Sequence, residues 1–430
     1  MTASTTPAEQ SVHLHYGTDG LWLDTTGLHA TVLRPTFIDG LADEKAAFFD
    51  AVRAPYASAS LKDLIAPHET LAVAIPDITR ALPSDRLLPW LFEELSFLPR
   101  ENVSILIGTG THRGNTRDEL IGMVGKAIVD NYRIVNHNGR DYTTMRKAGV
   151  SEFGYDVYLN AHYVAADRRI LIGFIEPHFM AGFSGGYKAV FPGLANLEAI
   201  LHYHGFDNIA HPRSTWGVLE NNPTQAHVRA GGALLPVDFL INVTLNNEHA
   251  ITRYFCGDVM AAHEAGCRFS KDTAMVGVDE AFPIVVTTNS GYPLDLNLYQ
   301  TVKGMAAAHT ITRPGGLIIA AGRCNNGFPD HGAFKEQLYR YASPEVALRA
   351  IGKPGFAEPD QWQTQKLIQI LLDSRVQLYS ELDPDAVRRA YIEPISDIRA
   401  AIDAERARLG EPDVPIAILP EGPMTIPYVA

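Results

Sequence analysis

An α/β fold in two domains is predicted by three observations on the 430-residue chain. Short runs apolar on both faces recur, amphipathic stretches of helical period separate them, and the alternation starts afresh past residue 282. Runs apolar on both faces suit parallel strands covered by helices on either side. In chain order, strands are expected at LAVAIPD (71–77), VSILIG (103–108), YRIVNHN (132–138), RILIGFI (169–175) and FLINVTL (239–245). Helices are expected at Arg86–Leu98, Arg117–Val124 and Asp258–Asp272. The second series reads PIVVTTN (283–289) as strand, Leu298–Ala308 as helix and GGLIIAAG (315–322) as strand. Helices follow at Pro344–Ile351, Gln361–Leu372 and Asp385–Arg408, with a strand candidate at Val376–Tyr379. VPIAILPEG (414–422) is a strand and loop that could return to either domain. The pattern divides the chain into an N-terminal α/β domain over 1–272, a linker over 273–282 and a C-terminal α/β domain over 283–430. Both domains are Rossmann-like, with the site expected in the cleft between them.

Composition excludes several classes. Lys and Arg total 36 against 49 Asp and Glu, a net charge of -13, and no basic stripe tracks a phosphate backbone, so nucleic acid is not an expected partner. The 3 cysteines form no CxxC pair, which fits neither a disulfide framework nor a sulfur-based zinc site and points to a reducing compartment. No apolar run reaches the length of a membrane span. The opening MTASTTPAEQ lacks the features of a secretory signal and is expected to fray, so a cytoplasmic protein is expected.

Polar residues gather just past three strands: Asp77, Thr79 and Arg80; GTGTHR with His112 and Arg113; and EPHFMAGFSGGYKAVFPG (176–193). Ligands of open α/β sheets bind beyond the carboxyl ends of strands. In SGGYK, the Ser184, Gly185 and Gly186 amides could cradle a phosphate while Lys188 supplies charge, although the spacing is not that of a Walker A loop. His112 and His178, from different strand ends, could move protons on opposite faces of one substrate. His204 in LHYHG could bind metal; the remaining histidines, His263 and His331 among them, read as structural or solvated, with His137 intermediate. Tyr299, Gln300 and Lys303 fall on one expected helix. GFSGG also matches a nucleophile elbow, so a serine hydrolase using Ser184 is the rival reading, and a binding or maturation protein is another.

DITR (77–80), GTGTHR (108–113), EPHFMAGFSGGYKAVFPG (176–193), His204 and YQTVKG (299–304), in this order and near the family's spacing, resemble the nickel-dependent lactate racemase family. The resemblance implies a nickel pincer nucleotide, a pyridinium mononucleotide holding the metal through two sulfurs and a ring carbon, tethered as a thioamide to Lys188. His204 would complete the nickel's coordination. Asp77, Thr79, Arg80 and the Ser184–Gly186 loop would lie near the cofactor's phosphate. His112 and His178 would exchange the hydroxyl proton of a 2-hydroxy acid while its carbon-bound hydrogen leaves and returns as hydride. Arg80 and Lys303 would neutralise the substrate carboxylate, with Tyr299, Gln300 and Trp362 shaping the pocket. A short aliphatic, lactate-like acid is expected, with malate or a sugar acid as alternatives. Cofactor-synthesis proteins are implied as maturation partners.

Overall fold

The computed structural model describes residues 5–7, 10–35, 38–329, 332–411 and 413–430. His331 and much of the opening segment expected to fray lie outside them. The chain forms two compact units: Phe37–Tyr203 with Gly217–Asp272 (the first unit), and Met1–Thr36, His204–Trp216 and Thr273–Ala430 (the second).

The first unit is built on a six-stranded sheet in the order Ile251–Gly257, Phe239–Leu245, Arg168–Phe174, Leu71–Pro76, Val103–Gly108, Arg133–Asn136. All are parallel except the Ile251–Gly257 edge. Alternate side chains enter different cores. Val73, Ile75, Ile105 and Ile172 join one apolar cluster, while Ala72, Ala74, Leu106 and Leu171 join the other. Burial on both faces explains why these strands read as unbroken apolar runs. From Leu71–Pro76 the chain winds outward to Arg133–Asn136, then returns to the other side of its first strand with Arg168–Phe174. The strand order therefore reverses between these two neighbours, the position beyond whose carboxyl ends open α/β sheets bind their ligands.

The second unit holds a seven-stranded sheet in the order Thr5–Pro7, His29–Leu33, Pro415–Leu419, Phe282–Thr288, Thr312–Ala321, Arg375–Tyr379, Glu393–Ile395. Three features depart from the sequence reading. His29–Leu33 pairs in parallel with Pro415–Leu419, Ala30 opposite Ile416, so the opening residues join the second unit and the closing strand stays there. The expected linker contains a strand, Met275–Val278, paired with Ile426–Val429. The expected helix over 385–408 is two helices, Pro384–Arg389 and Ile398–Leu409, separated by the strand Glu393–Ile395; Pro394 removes a helical donor at the break. Among the described residues, no helix is long and apolar enough to cross a membrane.

The helix Leu298–His309 lies close against Phe282–Thr288: a Cβ on Gly304 would fall 2.0 Å from the Thr288 carbonyl oxygen. Gly304→Ala should therefore push this helix off its strand. Overpacking of this kind costs about 1–3 kcal/mol, which a urea unfolding midpoint would register.

Candidate active site

Asp77 follows directly on Leu71–Pro76 and is buried. One carboxylate oxygen accepts the Thr79 hydroxyl at 2.6 Å and the Thr79 amide at 3.2 Å, and the other lies 2.8 Å from His112 Nδ1. Burial pushes the Asp77 carboxyl up, but the His112 hydrogen bond and charge, helped by Thr79 and Arg80, outweigh it and hold the group below its ordinary value. Asp77 is thus ionised, and His112 presents Nδ1–H to it. The ring's Nε2 keeps its lone pair while the imidazole is neutral. Asp77 and Thr79 are thus engaged with His112 and with each other, the Thr79 hydroxyl donating to Asp77.

His178 is set the opposite way. Its Nδ1 accepts the Met180 and Ala181 amides at 3.2 and 3.1 Å, so the neutral ring carries its proton on Nε2. Across the point where strand order reverses, Arg80 Nη1 reaches Glu176 Oε1 at 3.4 Å, a long contact that uses few of the guanidinium's five donors.

The Ser184–Gly186 turn is not the open amide cradle expected. The Ser184 amide donates to the Glu176 carbonyl at 2.9 Å, and the Gly186 amide donates to Asn242 Oδ1 at 2.8 Å. Nor is Ser184 placed as a nucleophile. It is buried, and its hydroxyl donates to the Phe174 carbonyl at 3.0 Å and accepts the Glu176 amide at 3.0 Å. In GTGTHR a Cβ on Gly108 would lie 3.2 Å from the Ala189 carbonyl oxygen, and the Gly110 amide donates to the Gly193 carbonyl at 3.0 Å, joining the His112 loop to the loop that follows Lys188.

Lys188 keeps a little exposed surface while protein mass around it removes most of its hydration. Burial pushes its ammonium down to about 7, Arg80 adds repulsion and Glu176 offsets part of it. An appreciable fraction of the amine is therefore neutral near neutral pH and still reachable. Asn242 and His263 support this loop, and the sequence reading assigned neither a role there. His263 is buried on the helix Val259–Ala274 and donates Nε2–H to the Ser184 carbonyl at 2.9 Å. His137 is likewise structural, its Nε2 donating to the Ala195 carbonyl at 2.9 Å.

In the second unit, buried Trp362 stacks on His204, ring centroids 4.2 Å apart, and its indole N–H donates to the Tyr299 hydroxyl at 3.3 Å. Tyr299, Gln300 and Lys303 share the partly exposed flank of Leu298–His309, whereas Leu298, Thr301, Val302 and Met305 are buried. Among the described residues, no group of three or more His, Cys, Asp or Glu side chains is gathered for a metal. A metal held through His204 would need donors from a bound group. The first unit thus brings Asp77, Thr79, Arg80 and His112 together, with His178 and Lys188 on neighbouring loops, and the second brings His204, Trp362 and Tyr299 together.

Burial lowers His263 to about 4, with Arg229 and Lys188 contributing repulsion while the Ser184 bond opposes the shift. The unfolded chain protonates this histidine near 6.5, so its contribution is complete above that pH and is lost as pH falls toward 4. Thermal melts from pH 7 to pH 4 should show a loss approaching about 3 kcal/mol from this group, an upper bound from the shift. His263→Gln should flatten the slope in that window.

Comparison with known proteins agrees with this architecture. The family pattern described as the lactate racemase N-terminal domain matches residues 16–217, and that described as the lactate racemase C-terminal domain matches residues 279–426. The lactate racemase of Thermoanaerobacterium thermosaccharolyticum is 35% identical over 380 residues, covering 86% of this chain and 88% of that protein. The lactate racemase of Lactiplantibacillus plantarum is 35% identical over 372 residues, covering 86% and 87%. The solved lactate racemase apoprotein from T. thermosaccharolyticum superposes with a TM-score of 0.90 at 31% identity over 97% of this chain and 99% of that one. A Thermotoga maritima protein shares the fold alone, with a TM-score of 0.67 at 16% identity over 92% of this chain and 100% of that one. From paired sheets to ordered motifs, the chain belongs to the lactate racemase family and is an isomerase.

Proposed function

We propose that this protein racemises a 2-hydroxy acid, with lactate the first candidate, using a nickel pincer nucleotide tethered to Lys188. The supporting observation is the placement, where one sheet's strand order reverses, of an aspartate-held imidazole and a lysine whose amine titrates at about 7. Lactate as substrate is taken from the two lactate racemases to which the chain is similar.

The residues fit the group. Lys188 can offer a neutral amine for a thioamide, and His204 can offer one ring nitrogen to a metal whose other donors arrive with the nucleotide. When bound, the group would supply a reversible acceptor for the hydrogen on the substrate's 2-carbon. The chain's residues manage the rest. His112 starts as the base: Nε2 takes the hydroxyl proton, and Asp77 stabilises the resulting imidazolium through Nδ1. His178, neutral with its proton on Nε2, can hydrogen-bond the substrate oxygen; to take a proton at Nε2 as base, or as imidazolium to return one to the product oxygen, it must carry a proton on Nδ1 and so shed the two long amide contacts there. Arg80 and Lys303 hold the carboxylate, and Tyr299, Gln300 and Trp362 bound the pocket. Proteins that synthesise the nucleotide would be maturation partners. Malate or a sugar acid are the other substrates of the class to test.

Protein matured with the pincer-synthesis enzymes should carry added mass on Lys188 and bind nickel. With enantiopure L-lactate it should drift to equal enantiomers on chiral chromatography. Lys188→Ala should abolish this; a loaded enzyme leaving lactate, malate and sugar acids optically unchanged would falsify the reading. Asp77→Asn should lower the turnover rate by about a hundredfold or more at little change in KM, because orientation of the base acts after binding.

A further inference from the structure

We propose that Asn242 and His263 are positioning residues for Lys188: they clamp the Ser184–Gly186 backbone between the sheet and the helix Val259–Ala274, and so fix the lysine for attachment. The inference rests on the reading of Lys188 as the attachment point.

Asn242 sits fully buried in Phe239–Leu245, an otherwise apolar run apart from Thr244. A buried amide is unfavourable unless its atoms are paired. Its Oδ1 is used on the Gly186 N–H at 2.8 Å and its Nδ2 on the Ile241 carbonyl at 3.1 Å. From the helix side, His263 holds the Ser184 carbonyl at 2.9 Å, and because a carbonyl only accepts, Nε2 must carry the proton. Burial keeps that ring neutral, so the donor persists across the working pH range.

The backbone between these holds has no slack. At Gly185, with φ +81, a Cβ would lie 2.6 Å from Asn242 Oδ1 and 3.1 Å from the Phe174 carbonyl oxygen. At Gly186, with φ +56, a Cβ would lie 2.9 to 3.0 Å from three His263 ring atoms. Both positions demand left-handed backbone and no side chain. The Lys188 amide then closes on the Gly185 carbonyl at 3.2 Å, so the lysine departs from the clamped turn after a single tight step. Its amine owes its low proton affinity mainly to burial, and burial depends on how deeply this turn is seated. Loosening either hold would let water reach the ammonium.

The test uses the full-length unloaded protein. Lys188 is labelled with trace acetic anhydride across pH 5 to 10, the peptide is quantified by mass spectrometry, and folding is checked by circular dichroism. Wild type should show a midpoint near 7. Asn242→Leu and His263→Leu should raise it by about one unit or more, which is about a tenfold loss of reactive amine at pH 7. His263→Gln keeps an N–H donor and should restore the wild-type midpoint. Folded Leu variants with unchanged midpoints and normal cofactor loading would overturn the clamp. If those variants do not fold, hydrogen exchange at the wild-type Gly186 amide decides: protection by about a hundredfold supports the clamp, and exchange at the free-loop rate overturns it. Clamp-dependent labelling in a protein that never gains cofactor mass would uphold the clamp and sink the attachment reading.

Discussion

Seating a lysine so deeply that burial pushes its ammonium down to about 7, beside an arginine, is the constraint that shapes the turn before Lys188. Desolvation does most of this, and desolvation is a property of depth rather than of any one neighbour. The turn before Lys188 must therefore sit low over the sheet, where ordinary residues collide. Two consecutive left-handed glycines allow it, and small residues on the same sheet face, Ala72 and Ala74, leave room for the Phe191 and Leu194 packing that follows. Burying that turn leaves its polar backbone without water, so partners had to be built in from Asn242, His263 and the Ser184 hydroxyl.

A second arrangement follows from hydrogen-bond direction alone. Asp77 can only accept, which forces a proton onto His112 Nδ1; the Met180 and Ala181 amides can only donate, which forces one off His178 Nδ1. Two chemically identical side chains are thereby prepared in complementary states by groups outside any substrate. The two holds differ in strength. The Asp77 contact is short and charge-assisted, whereas the amide contacts on His178 are long and neutral.

Much of this was legible in the sequence, for a physical reason. Parallel strands buried on both faces announce themselves locally: VSILIG and FLINVTL match the strands Val103–Gly108 and Phe239–Leu245 residue for residue. Loops with unusual polar content stood out at their ends. What could not be read was pairing across long separations, such as His29–Leu33 beside Pro415–Leu419, where neither strand's pattern names its neighbour. The break at Glu393–Ile395 had a local signal in Pro394 that helical periodicity on either side overrode. The roles of Asn242 and His263 needed coordinates, because hydrogen-bond partners 56 and 79 residues apart in the chain leave no mark on spacing. An asparagine inside an apolar run was nevertheless a usable signal, since such a residue must be paired.

The same logic governs His204, held by different means. Its segment, His204–Trp216, packs with the second unit, and the helix Gln361–Asp373 secures it through main-chain carbonyls. Gln361 donates to the His204 carbonyl at 3.4 Å, Gln365 to Phe206 at 2.9 Å and Lys366 to Ser214 at 2.9 Å. Bonds to carbonyls fix the path of a segment without regard to its side chains, and Trp362 stacks on the face of the imidazole. Lys366, lowered by burial to about 8, accepts a partly desolvated ammonium to make its contact, so the segment is secured at some electrostatic expense.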